Sequence, residues 1–157
     1  MGQFELIFAV GALSDETVLR IHQGHDVFTA SYGGLTMLTV TTDGDEPMDV
    51  ARKVVASLEE ISGVHVDRCC EDLMSLSDIA DRSDVAEDTV REWMVEGAEA
   101  GSPFPKPYYL VGGGVWLWSE VNDWLREVGK KSSPVRHLSR LDILQTNLWL
   151  AQRSRTT

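Results

Sequence analysis

The most informative part of the chain is residues 73–93, which read LMSLSDIADRSDVAEDTVREW. Apolar residues recur there at helical spacing on both sides of a polar break, which predicts helices over 76–82 and 87–95. Two short helices cross closely only where the contact residue is small, and Ala80 meets that need. Four larger residues are expected to fill the shared core: Ile79, Val85, Val90 and Trp93.

Downstream of these helices, the sequence changes to turn-forming and aromatic residues. A loop rich in Gly and Pro is predicted over 97–107, and an aromatic stretch follows over 108–118, interrupted by three glycines at 112–114. Ser119 is a good N-cap for a last helix over 120–128. Two short helices, a hairpin and a closing helix together predict a winged helix.

Residues 72–128 resemble the winged helix-turn-helix domain of MerR-like and phage excisionase-like regulators. Phe104-Pro-Lys-Pro, the glycine tip at 112–114 and the run from Trp116 to Leu125 resemble the wing and closing helix of those families. The layout of the whole chain also looks like small actinobacterial helix-turn-helix proteins. In the helix-turn-helix itself, the matching residues are Ala80, Ser83, Val85, Val90 and Trp93.

The resemblance implies a sequence-specific transcriptional regulator that binds duplex DNA. Its second helix would lie in the major groove and its wing on the adjacent backbone. The residues expected to contact DNA are Arg82, Thr89, Arg91 and Lys106.

The N-terminal part of the chain has a different texture, with β-branched and aromatic runs between helical stretches. Strands are predicted over 3–10, 26–32, 35–41 and 64–68, with helices after Ser14 and over 50–61. The order β-α-β-β-α-β is that of the ferredoxin-like fold, which ACT-type sensory domains share. Because this fold hosts many functions, we infer no activity for it beyond dimerisation or ligand sensing.

The C-terminal part is basic and is expected to end in a helix. A linker is predicted over 130–134, followed by a narrow apolar stripe on a candidate dimer helix. The stripe consists of Leu138, Leu141, Leu144 (or Gln145) and Leu148. The predicted organisation is therefore an α+β chain with a ferredoxin-like domain over 1–70, a winged helix-turn-helix over 71–128 and a basic linker with an amphipathic helix over 129–157.

Charge is distributed unevenly along the chain, with net values of -7 for residues 1–70, -9 for 71–128 and +5 for 129–157. Phosphate neutralisation by Lys and Arg supplies most non-specific DNA affinity, so the acidic body favours a second hypothesis beside DNA binding. In that hypothesis the chain is an adaptor or inhibitor whose acidic winged domain binds a basic protein, standing in for nucleic acid. In the DNA hypothesis, six basic residues of the C-terminal part would add phosphate contacts: Lys130, Lys131, Arg136, Arg140, Arg153 and Arg155.

The remaining candidate residues predict neither catalysis nor a cofactor or metal. The histidines at 22, 25 and 65 and the adjacent Cys69 and Cys70 lack the spacing of a zinc site. No nucleophile, base and oxyanion donors fall in a known arrangement, so we expect no enzyme. The start of the chain has no signal-peptide pattern and no segment is long enough to span a membrane, which favours a reduced, cytoplasmic protein.

Overall fold

The computed structural model describes residues 2–155, and the chain forms two compact units. One unit contains the residues up to Glu71 together with those from Val135 onward, and the other contains Asp72–Pro134. Helices and strands are both abundant, which confirms the α+β prediction. No helix among the described residues combines the length and the apolar character that a bilayer crossing requires.

The first unit is built from two separate stretches of the chain, and the second unit from the stretch between them. The first unit begins with β1 (Gly2–Val10), α1 (Asp15–Gly24), β2 (Asp26–Tyr32), β3 (Leu35–Gly44), α2 (Pro47–Glu59) and β4 (Val66–Cys70). The second unit contains β5 (Leu73–Met74), α3 (Leu76–Ser83), α4 (Glu87–Ala100), β6 (Trp116–Leu117) and α5 (Trp118–Glu127). The chain then returns to the first unit with β7 (Arg136–His137) and α6 (Arg140–Arg155).

The sheet of the first unit has the strand order β2-β3-β1-β4, and these neighbours are antiparallel. Short β7 adds to β1 in the parallel direction. Alternate residues of β1 and β3 face the core, where Leu6 pairs with Val40 and Phe8 with Leu38. All four of these side chains are buried, whereas Phe28 of β2 is 69% exposed. One face of the sheet therefore carries the core, as expected when helices cover one side of an antiparallel sheet.

Helix α6 packs against β4 and α2, so it belongs to the first unit and does not form a separate segment with the linker. Its packed face contains Ile143, Thr146 and Leu150. The predicted stripe is therefore not the packed face of this helix. Leu138 is buried, but Leu141, Leu144 and Leu148 are 59%, 66% and 57% exposed.

Polar residues on the packed face of α6 explain why the apolar pattern of the sequence did not identify that face. The Thr146 hydroxyl is buried but donates to the Asp142 carbonyl over 2.8 Å, one turn back along the helix. The Asn147 amide bonds both backbone groups of Cys69, at 2.7 and 2.9 Å. A pattern that counts only apolar residues misses a face on which polar groups are satisfied in this way.

The second unit is built around one aromatic cluster between its three helices. Helix α3 begins with a capping box, in which Ser75 and Asp78 each accept a hydrogen bond from the other's backbone amide. Strands β5 and β6 form a two-stranded antiparallel sheet. The cluster consists of Ile79, Ala80, Val90, Trp93, Phe104, Trp116, Trp118, Val121, Trp124 and Leu125.

Three details of the second unit differ from the sequence predictions. Helix α4 continues to Ala100, because Gly97 packs inside it and does not start a loop. Helix α5 begins at Trp118 after Leu117, so Ser119 lies within the helix and does not cap it. Within the aromatic stretch, Tyr109 and Val115 form an isolated bridge around a 3-10 turn, and Trp116–Leu117 pairs with β5 instead of extending a hairpin.

Candidate nucleic-acid interface

The turn between α3 and α4 determines how the second of these helices leaves the first. Asp84 adopts a left-handed conformation, with φ 57° and ψ 47°, and is the non-glycine residue with positive φ among the described residues. The next amide, that of Val85, donates to the Ala80 carbonyl over 2.9 Å. Ser83, the residue that matches the turn position of the families the sequence resembles, is the last residue of α3, one position earlier. Asp tolerates this conformation better than most residues because its short side chain bonds locally.

Ala80 lies at the point where α3 meets the cluster, and it is 2% exposed. Ile79, Val90 and Trp93 are also buried there, and Val85 is partly buried against the same cluster. The residues expected to form the helix-turn-helix core therefore lie together. A larger side chain at position 80 would force the two helices apart.

The segment after α4 is fixed to the helices by aromatic contacts and two indole hydrogen bonds. Phe104 meets the ring of Trp124 edge to face, with centroids 5.1 Å apart. The Trp116 indole donates to the Pro105 carbonyl over 3.0 Å, and the Trp124 indole donates to the Ser102 carbonyl over 2.7 Å. These contacts hold the chain that leads to the wing in one position relative to α4.

Gly97 makes this close approach possible. A Cβ at position 97 would lie 2.7 Å from the Ser102 carbonyl oxygen and 3.0 Å from the Phe104 amide nitrogen. Both atoms belong to the backbone, which has little freedom to move away. The sequence marked Gly97 only as a turn residue, although an isolated glycine in a helix often marks a backbone contact.

The exposed surface of α4 is acidic, since the helix contains five carboxylates and one basic residue. Arg91 is that basic residue, and its guanidinium donates to Asp88 over 2.9 Å. Thr89 is half-buried on the same part of the helix. The acidic residues are Glu87, Asp88, Glu92, Glu96 and Glu99.

Arg82 lies at the surface, but its guanidinium is engaged by neighbouring side chains. Its guanidinium bonds the Asp72 carboxylate over 2.8 Å and stacks over the ring of Trp118, 4.5 Å from the centroid. The side chain is 29% exposed. The two other basic residues predicted to contact DNA, Arg91 and Lys106, are exposed. The candidate interface therefore centres on Thr89, Arg91 and Lys106.

The tip of the predicted wing, around the turn at 111–113, is apolar. Tyr109, Leu110 and Val111 are 62%, 86% and 69% exposed, and the stretch 108–118 contains no Lys or Arg. The sequence analysis assigned these three consecutive apolar residues to a strand of the predicted wing. It did not identify them as an exposed apolar surface. Their exposure follows from the short turn at 111–113, which leaves the tip without a pairing partner strand.

Several residues of the basic C-terminal part form intramolecular contacts. Lys130 pairs with Glu96 over 3.3 Å, within the second unit. In the first unit, Arg136 donates to the Asp45 carbonyl over 2.9 Å, and Arg153 pairs with Glu59. These contacts reduce the charge that this part of the chain can offer to phosphates.

Comparison with known proteins finds no matching family model, no matching curated protein and no matching solved structure.

Proposed function

We propose that Asp72–Pro134 is a winged helix-turn-helix domain that binds duplex DNA and regulates transcription. The observation that carries the proposal is the α3–α4 junction, where Ala80 allows close crossing and the left-handed Asp84 redirects the chain. In such domains the second helix enters the major groove and the wing follows the backbone. Here α4 would be that second helix.

Arg91 is the side chain that we expect to read a base, because arginine bonds the O6 and N7 atoms of guanine through two donors. Lys106 precedes the wing and would contact a phosphate. With so few exposed cations, binding should neutralise few phosphates. Each neutralised phosphate contributes about 0.9 to the slope of log affinity against log salt, so we expect a shallow slope.

We infer that the first unit has the ferredoxin-like topology. The support is its strand order, β2-β3-β1-β4 with antiparallel neighbours, together with helices after β1 and β3. This arrangement is the split β-α-β unit of that fold. In a regulator it would serve dimerisation or sensing of a ligand.

We also infer that the chain pairs with a second copy through the outward leucines of α6. Leu141, Leu144 and Leu148 are each more than half exposed and lie three and four residues apart, as along the seam of a coiled coil. Because this spacing is nearly symmetric about Leu144, a two-fold axis there brings Leu141 of one copy against Leu148 of the other. The neighbouring exposed residues on this stripe, Gln145 and Gln152, carry no charge that would repel a second copy.

A second candidate function is supported by the charge of α4 and by the apolar wing tip. A surface with five carboxylates beside exposed Tyr109, Leu110 and Val111 is complementary to a basic protein with an apolar patch. In this case the domain would be an adaptor or inhibitor that binds where nucleic acid otherwise binds.

Selection from fragmented genomic DNA tests the first proposal. An enriched short motif, with affinity lost in Arg91→Ala, is the expected result. Arg20→Ala is a matched control, since Arg20 pairs with Glu16 on an exposed helix face as Arg91 does with Asp88. Absence of enrichment at low salt would overturn DNA binding.

The second candidate is tested by crosslinking the full chain in cells and comparing the captured proteins with those of Glu92→Lys. A basic protein captured by the original chain and lost in Glu92→Lys would support the adaptor role. Capture that does not change with this charge reversal would exclude the acidic face as the docking surface.

A further inference from the structure

The second unit contains a cleft of about 320 Å³ between the end of α3 and the segment that follows α5. None of its lining residues is acidic, although the unit as a whole is rich in carboxylates. Two of them, Arg82 and Lys131, are cationic. The lining residues are Arg82, Ser83, Trp118, Lys131, Ser132, Ser133 and Pro134.

Two hydrogen-bond donors of this cleft are buried without an acceptor among the described residues. They are the Trp118 indole nitrogen and the Ser83 hydroxyl. Trp118 is only 2% exposed, so water reaches its indole poorly. A buried donor without a partner costs about 1–3 kcal/mol.

Two other indoles of the same cluster have an acceptor. Trp116 and Trp124 each donate to a backbone carbonyl, at 3.0 and 2.7 Å. The Trp118 ring is instead covered by the Arg82 guanidinium, which Asp72 holds in place over 2.8 Å. The unpartnered donor thus lies beside a fixed positive charge.

The opposite wall of the cleft is also held in position. Buried Asn122 donates to the Ser133 carbonyl over 3.0 Å and accepts from the Ser133 amide over 2.8 Å. The amide of Lys130 donates to the Leu125 carbonyl over 2.8 Å. A site whose walls are already ordered loses little conformational entropy when a ligand binds.

We propose that this cleft binds a phosphate group. The ligand must supply acceptors and negative charge, because two lining residues, Trp118 and Ser83, have donors without an acceptor and a third, Lys131, carries an ammonium group. Arg82 shares its charge with Asp72, and the last turn of α3 presents the negative end of the helix dipole. Lys131 therefore supplies the net charge for binding. The group belongs to a small phosphate compound or to a nucleic-acid backbone, and the site does not require α4 to bind DNA.

The test is a titration of the full chain with inorganic phosphate. Binding is monitored by NMR through the nitrogen-proton signals of the five tryptophan indoles. The Trp118 signal, assigned by its loss in Trp118→Phe, should shift to saturation, while those of Trp116 and Trp124 stay in place. Sodium chloride at matched ionic strength should produce no such shift. Equal movement of all indole signals, or no saturable movement of the Trp118 signal with any probe used, would overturn the proposal.

Lys131→Gln and Lys53→Gln form a matched pair, since both lysines are exposed, only Lys131 lines the cleft, and Lys53 lies outside the proposed DNA interface. Lys131→Gln should weaken phosphate binding about tenfold, which corresponds to about 1.4 kcal/mol, and Lys53→Gln should leave phosphate binding unchanged. An unchanged affinity in Lys131→Gln would overturn the proposal.

A second titration with duplex DNA distinguishes the source of the phosphate group. The site would be assigned to the nucleic-acid backbone if the Trp118 signal shifts with duplex DNA but not with inorganic phosphate, and if Lys131→Gln weakens this binding to duplex DNA. A shift with inorganic phosphate that persists in Arg91→Ala would support a small phosphate ligand, whether or not the proposed DNA binding holds.

Discussion

The guanidinium of Arg91 donates a hydrogen bond of 2.9 Å to the carboxylate of Asp88, three residues earlier on the same exposed helix face. The residue expected to read a base is thus paired within its own helix. Both side chains are more than half exposed, so the pair contributes little stability, about 0–1 kcal/mol. Arg91 can therefore exchange this carboxylate for a ligand at small cost.

Asp88→Asn should raise DNA affinity about threefold at low salt, because it removes a competing partner of Arg91 whose interaction is worth at most about 1 kcal/mol. Fluorescence anisotropy on the enriched DNA fragment measures this change. Glu99→Gln is the control, since it removes the same charge from the far end of α4 and should have a smaller effect. An unchanged or lower affinity in Asp88→Asn would contradict the placement of Arg91 at the interface.

Gly97→Ala should destabilise the protein by about 1–3 kcal/mol, although alanine is the better helix former. The added Cβ would lie 2.7 Å from the Ser102 carbonyl oxygen, which is fixed by the Trp124 indole. Denaturant unfolding followed by tryptophan fluorescence reports this change. Glu99→Ala, on the same helix and exposed, should change stability by less than about 0.5 kcal/mol. A stabilising Gly97→Ala would show that the backbone contact is looser than described.

Leu144→Glu should convert a dimer to a monomer, because it places two charges together at the centre of the proposed seam. Sedimentation velocity at several concentrations measures the association state. Leu19→Glu is the matched control, since Leu19, at 59% exposed, is nearly as exposed as Leu144 but lies on α1. If the original chain sediments as a monomer, or if both variants behave alike, the outward leucines do not form the interface.

The carboxyl group of Glu59 should make the free energy of unfolding depend on pH. Burial raises the pKa of this carboxyl, but hydrogen bonds from Arg153 and the Val66 amide, together with the nearby positive charge of Arg153, outweigh burial and hold the pKa below its usual 4.5. A depressed pKa stabilises the folded state above the unfolded value, and this stabilisation is lost as the pH falls through the folded pKa.

Glu59→Gln should therefore lower stability at neutral pH and flatten its dependence between about pH 5 and pH 3. Unfolding midpoints in denaturant across that range measure the effect. Glu60→Gln, at the exposed neighbouring position, should leave the slope intact. A slope that is unchanged in Glu59→Gln would assign the acid sensitivity to other carboxyl groups.

Local sequence signals were informative where a residue acts through its immediate neighbours. The capping residue Ser14 accepts from the Thr17 amide at the start of α1, and the Gly33-Gly34 turn joins β2 and β3. Both follow from intrinsic preferences of the backbone. The short strands β5 and β7 had no such signal, because two residues carry no periodicity and are paired only by distant parts of the chain.

Local signals also marked the residues of the candidate site. The sequence marked Arg91, on the second helix, and Lys106, just before the predicted wing, as cations expected to contact DNA, and both are exposed. It could not show that Arg82 is occupied by Asp72 and Trp118, which are distant in sequence from one another. The role of an arginine depends on which acid or ring lies within reach, and spacing does not reveal this.

The sequence by itself determined the α+β class, the order of the long helices and strands, and the acidic character of α4, because these follow from composition and local periodicity. Tertiary structure decided which face of α6 is buried, since Thr146 and Asn147 are acceptable inside only where their polar groups find partners. It also decided that Gly97 is a backbone contact and that the Trp118 indole, in the wall of the cleft, is buried without an acceptor. These features depend on atoms from distant positions in the sequence. Hydrogen bonds and steric contacts between such atoms exist only after folding has brought them together.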